Sequence, residues 1–168
     1  MNKDIVKEYG DVLHDPSSIV DRPLEVLSVG PKLDIALGGG VPEGSLFIMT
    51  GPEKVGKTVT ALTFCANAQK HYERKVYYAN IEGRLKKRDL EGIVDLDLDS
   101  EKMQIIGSTE GNILSAEKYL SIVDNIVHTQ PGSLAVVDSF SALSSEAELT
   151  GDLSDMQVMS VQKVLAKF

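Results

Sequence analysis

Apolar positions change their period several times along the chain, and each change marks an element. LEVLSVG (24–30) is compact and apolar enough for a short strand, closed by Gly30-Pro31. In KLDIALGGGVPEGS, Leu33, Ile35, Ala36 and Leu37 predict a helical turn that three glycines stop. SLFIMT (45–50) is a continuous apolar run, the pattern of a strand covered on both faces. Thr58 to Lys70 is rich in Ala, Leu, Phe and Cys and reads as a largely buried helix. KVYYANIE (75–82) and MQIIG (103–107) are further strands, with a helical and acidic stretch between them. From Ser115 to His128, the positions of Ala116, Tyr119, Leu120, Ile122, Val123 and Ile126 predict an amphipathic helix, ended by Gln130-Pro131-Gly132. SLAVVDS (133–139) is a strand of small or branched residues that finishes on an Asp, and the pattern from Asp155 onward is helical again.

Strands that alternate with helices predict a mainly parallel α/β sheet with helices on both faces. Residues 1–22 are polar and read as an arm, with a short helix over Asn2 to Tyr9 and a turn at Asp15-Pro16-Ser17-Ser18. Residues 23–168 form one core, since 168 residues is the size of a single ordinary domain.

Composition narrows the function classes. No run approaches the roughly 18 apolar residues that a membrane span needs, and MNKDIVKEYG is too polar for a signal peptide, so no membrane partner is expected. The net charge of −8 argues against coating nucleic acid by bulk charge, and any such contact must be local. The densest positive stretch is Arg84, Lys86, Lys87 and Arg88, for which a solvated helix face is the plainer reading. His14, His71 and His128 lack ligand spacing, and the single Cys65 sits in an apolar pattern that predicts a buried, inert thiol.

The chemistry is concentrated at residues 51–58. Gly51, Pro52, Glu53, Lys54, Val55, Gly56, Lys57 and Thr58 satisfy G-x-x-x-x-G-K-[ST], between a predicted strand and a predicted helix. Glycines let successive N–H groups turn toward phosphate oxygens, and the helix adds the positive end of its dipole. In this pattern Lys57 reaches the β and γ phosphates and Thr58 offers its hydroxyl to Mg²⁺. Asp138, ending LAVVD, fits a second metal-side group, although an Asp there also suits a helix cap. Glu82, just past its strand, lies at the same carboxyl edge of the sheet and is either a water-activating carboxylate or a surface Glu.

The order LDIALGGGVPEG, LFIMTGPEKVGKT, VYYANIE, LAVVDSFSAL and SSEAELTGDLSDM resembles the RecA-type recombinases, particularly those of bacteriophages, over residues 24–168. The resemblance implies a P-loop ATPase core whose ATP-bound form builds a homo-oligomeric filament on single-stranded DNA and exchanges strands, in the cytoplasm of a bacterium or phage-infected cell. By the same resemblance, Glu82 is the water-activating glutamate and Asp138 supports the metal. Residues 147–156 align with the family's first DNA-binding loop, where backbone amides such as that of Gly151 meet the strand. Met156 is the candidate for an inserted apolar wedge, or else the first core residue of the last helix.

Departures from the family pattern also carry expectations. GRLKKRDLEG lacks the adenine-stacking aromatic that the family has there. Also missing are the strand that the family inserts between the phosphate-loop strand and the Asp138 strand, and the second DNA-binding loop. The chain is therefore expected to be the N-terminal portion of such a recombinase, from a split or interrupted gene or a truncation, with a continuation or partner chain completing the sheet. The alternative is a regulatory or structural ATP-binding paralogue without strand exchange. A ring-forming helicase-type ATPase is a third reading, against which the Gly-Pro-Glu opening and LTGDLSDM count.

Overall fold

The structure, a computed structural model, describes residues 24–150 together with Ser17. Of the predicted turn at 15–18, only Ser17 is described, and its backbone is helical. The predicted helix at Asn2–Tyr9, the arm around it and the helix after Asp155 lie outside the described residues.

Three parallel strands carry the architecture. β3 (Val76–Asn80) lies between β4 (Met103–Ile106) and β5 (Leu134–Asp138), in the order β4-β3-β5. The register pairs Val76 with Met103 on one side and with Leu134 on the other, and it ends with Asn80 opposite Asp138. A parallel sheet is stable only when both faces are covered, and successive residues of a strand point to opposite faces. One face of the sheet accordingly meets α2 (Lys57–Tyr72), in a cluster that joins Ala61, Leu62 and Cys65 to Val76, Tyr78 and Met103. The other face meets α4 (Ala116–Thr129), in a cluster that joins Ala79 to Ala116, Tyr119, Leu120 and Val123. The expectation of an α/β core with helices on both faces is met.

The connections follow from local chemistry. α4 begins where the Ser115 hydroxyl accepts the N–H of Lys118 at 3.3 Å, satisfying a donor that the helix itself cannot. Before β4, the chain forms the short, solvated helix α3 (Lys87–Glu91). A small antiparallel pair, β1 (Val26–Leu27) with β2 (Val41–Pro42), packs on the far end of α2 through Leu27, Val29, Val41, Phe64 and Ala68. Between them α1 (Pro31–Leu37) stops at Gly38, which is left-handed with φ 73°. The strand predicted over 24–30 thus shrinks to two residues, because among the described residues only the two-residue β2 pairs with it.

Residues 45–50 differ from expectation. They join no sheet among the described residues, and their burial alternates: Phe47 and Met49 are half-buried against the α2 clusters, whereas Leu46 is 77% and Ile48 63% exposed. A strand needs hydrogen-bonding neighbours as well as an apolar composition, and the side of β5 away from β3 carries no neighbour among the described residues. Only one face of the SLFIMT run is covered.

Candidate functional site

Gly51–Gly56 connects the 45–50 segment to α2, and its conformation suits its composition. Gly56 caps α2 in the left-handed region with φ 95°, and Lys54 is also left-handed with φ 61°. The first N–H groups of a 16-residue helix thus emerge from a sharply curled loop, where they and the helix dipole favour an anion. Lys57 bends back over this loop, its Nζ donating to the carbonyls of Gly51 at 2.8 Å and Pro52 at 2.7 Å. Pro52, Glu53, Lys54 and Val55 are exposed. They shape the curl through their backbone.

Thr58, in the first turn of α2, points at the end of β5. Its Oγ1 donates to Oδ2 of Asp138 at 2.8 Å, which joins two residues 80 positions apart in sequence. The register explains the meeting. Leu134 and Val136 pack on the α2 face, so Asp138, with the same parity, faces the start of that helix. A hydroxyl and a carboxylate at this spacing are hard oxygen donors of the type that suits Mg²⁺.

Glu82 lies two residues beyond β3, at the same carboxyl edge. The N–H groups of Ile81 and Glu82 both donate to the Asp138 carbonyl, at 2.9 and 3.4 Å, which pins the two strand ends together. The Glu82 carboxylate accepts a hydrogen bond from Ser139 Oγ at 3.1 Å and has Arg84 at 3.7 Å. Ser139 in turn shares a hydrogen bond of 2.7 Å with Ser141. A carboxylate held this way at a sheet edge can orient or deprotonate water. The rest of the basic stretch is a solvated surface, with Lys87 paired to Glu91 at 3.3 Å and Arg88 to Asp89 at 3.6 Å.

The structure therefore brings the loop, Lys57, Thr58, Asp138 and Glu82 together at one edge. Gly151 and Met156 lie outside the described residues. Sequence reasoning missed Tyr78 and Ser139. Tyr78 is fully buried, and its hydroxyl donates to Asp138 Oδ2 at 2.7 Å. The signal that could have found it is chemical: a tyrosine in a fully buried strand needs a partner for its O–H. Burial, reinforced by the Asp138 contact, raises the phenol above its ordinary range, so it stays a donor. Burial also pushes the Cys65 thiol up to about 12, as expected of an inert core residue. Among the described residues, no helix is long and apolar enough to cross a membrane.

Comparison with known proteins places this geometry. The RecA N-terminal domain family matches residues 3–167. Protein RecA of Streptomyces venezuelae is 38% identical over 82% of this chain and 34% of its own length. Protein RecA of Phytoplasma mali is 32% identical over 98% of the chain and 47% of its own length. The mitochondrial DNA repair protein recA homolog 3 of Arabidopsis thaliana is 32% identical over 94% and 35%, respectively. The chain thus spans about a third to a half of the length of these relatives. With its phosphate-loop pattern, parallel core and matched residues, the chain belongs to the RecA-type recombinase family and corresponds to that family's N-terminal portion.

Proposed function

We propose that this chain is the nucleotide-binding portion of an ATP-dependent DNA recombinase. The observation that carries the reading is the hydrogen bond between Thr58 and Asp138, because it joins the phosphate loop to the strand-end carboxylate where a metal-bound triphosphate needs both. Gly51–Gly56 and the first turn of α2 cradle the phosphates. Lys57 exchanges its two loop carbonyls for β and γ phosphate oxygens, and Thr58 and Asp138 hold Mg²⁺. Bound there, Mg²⁺ would supply charge neutralisation at the phosphoryl oxygens. Glu82, steadied by Ser139, orients the attacking water and accepts its proton.

Single-stranded DNA, met through Gly151 and Met156, and a filament of identical subunits are the partners of this reading. The same reading gives the sheet one more strand, from a continuation of the chain or from a partner, between residues 45–50 and β5. The side of β5 away from β3, which carries no neighbour among the described residues, supports that placement. Residues 1–22 are then a subunit-docking arm, and the whole acts in the cytoplasm.

Two substitutions test the assignment. Lys57→Ala should abolish nucleotide binding in equilibrium titration. Glu82→Gln should keep binding while lowering turnover by about 10²–10⁴-fold. Turnover that survives Glu82→Gln means that another group handles the water.

A further inference from the structure

The Asp138 carboxylate receives a second donor that the phosphate-loop pattern does not require. Tyr78 and Thr58 both donate to the same oxygen, Oδ2, at 2.7 and 2.8 Å. Tyr78 stands opposite Val136 in the register, and Asp138 lies two residues further along the same face of β5. The tyrosine therefore reaches diagonally from the central strand to the strand end. The two donors are unequal. Thr58 is half-buried on the helix beside the phosphate loop, and its oxygen is the one that a cation there would engage. Tyr78 is fully buried among Ala61, Leu62, Cys65 and Met103, so core packing sets its ring and leaves it no other position.

We propose that Tyr78 is a positioning residue, whose buried hydroxyl anchors one oxygen of Asp138 so that the carboxylate keeps its orientation toward the divalent cation of the nucleotide site. The inference rests on the reading of Thr58 and Asp138 as the metal-side pair. An O–H bond to a carboxylate is charge-assisted and directional, which suits it to hold a side chain at a strand end. Groups that orient a metal-side ligand in this way typically alter metal affinity by 10–100-fold when removed. Phenylalanine would fill the same core volume without making the bond, so the hydroxyl can be tested apart from the ring.

The experiment titrates Mg²⁺ against binding of a fluorescent ADP analogue by the full chain, with the metal-free affinity of each variant as its internal reference. Tyr78→Phe should raise the Mg²⁺ midpoint about tenfold, and Asp138→Asn at least as much. In the Asp138→Asn background, Tyr78→Phe should add less than about twofold, because the charged metal-side carboxylate that the hydroxyl orients is already gone. Circular-dichroism melting of each variant separates folding from metal response. A lower melting temperature with an unmoved midpoint makes the hydroxyl purely structural and overturns the proposal, as do fully additive shifts. If Asp138→Asn also leaves the midpoint in place, the metal-side reading itself is wrong, and Tyr78 falls with it. If Asp138→Asn moves the midpoint and Tyr78→Phe does not, only the role of Tyr78 is lost.

Discussion

Gly40 shows how a single position can be committed by its backbone. Its φ is +135°, and a Cβ placed there would lie 2.4 Å from the carbonyl oxygen of Leu27, on the paired strand. Only glycine allows that approach. Gly40→Ala should therefore separate β1 from β2 and cost at least about 1–3 kcal/mol, read from denaturant unfolding. Unchanged stability would mean that the β1–β2 pair adjusts freely. The glycine run was visible in the sequence as a helix stop, but the reason for its third member was not, because Leu27 lies thirteen residues earlier in the chain. Lys57 and Thr58 were legible for the opposite reason: the phosphate-loop pattern is local, and its chemistry admits few residue types. Tyr78 was illegible because its partner is a strand away, and apolar periodicity does not report where a hydroxyl points.

At the scale of elements, helix boundaries depend on a few polar atoms. The Asp34 carboxylate accepts the Ser28 hydroxyl at 2.6 Å and the N–H groups of Val29 and Gly30 at 2.8 and 3.2 Å, which fastens α1 to the end of β1. The Ser28 hydrogen bond, with help from the two N–H groups, holds this carboxyl below its ordinary range. A depressed folded-state pKa contributes stability above the unfolded value near 3.9 and loses it as pH falls through the folded value. Asp34→Asn should thus lower the melting temperature at neutral pH, and the gap to the wild type should close below about pH 4. A gap independent of pH would show that the geometry of the side chain matters and its charge does not. α2, α4 and the three parallel strands were all readable from periodicity, because their apolar faces are set by neighbours along the same element. LEVLSVG and SLFIMT were over-read as strands: apolar composition states that a segment packs against something, and leaves open whether a strand pairs with it.

For the whole molecule, the consequence lies at the open side of β5. β3 is bonded on both sides, whereas residues 45–50 belong to no sheet among the described residues. Hydrogen exchange should therefore find the amides of Val76–Asn80 well protected and those of 46–49 exchanging at least about 100-fold faster. In a longer chain, or with a complementing partner, both the 46–49 amides and the outward amides of β5 should slow. Protection of 46–49 in this chain alone would remove the case for an added strand.

By itself, the sequence determined the α/β class, the order of helices and strands, and the identity of the phosphate loop. Each of these rests on periodicity or on chemistry within a dozen residues. Tertiary structure alone decided which oxygen Thr58 meets, that Tyr78 bonds to Asp138 and Ser139 to Glu82, and that 45–50 joins no sheet among the described residues. Those outcomes depend on the register between β3 and β5 and on which strands lie side by side. Register is a relation between segments far apart in the chain: the hydrophobic pattern fixes which face each strand buries, but not which strand lies beside it.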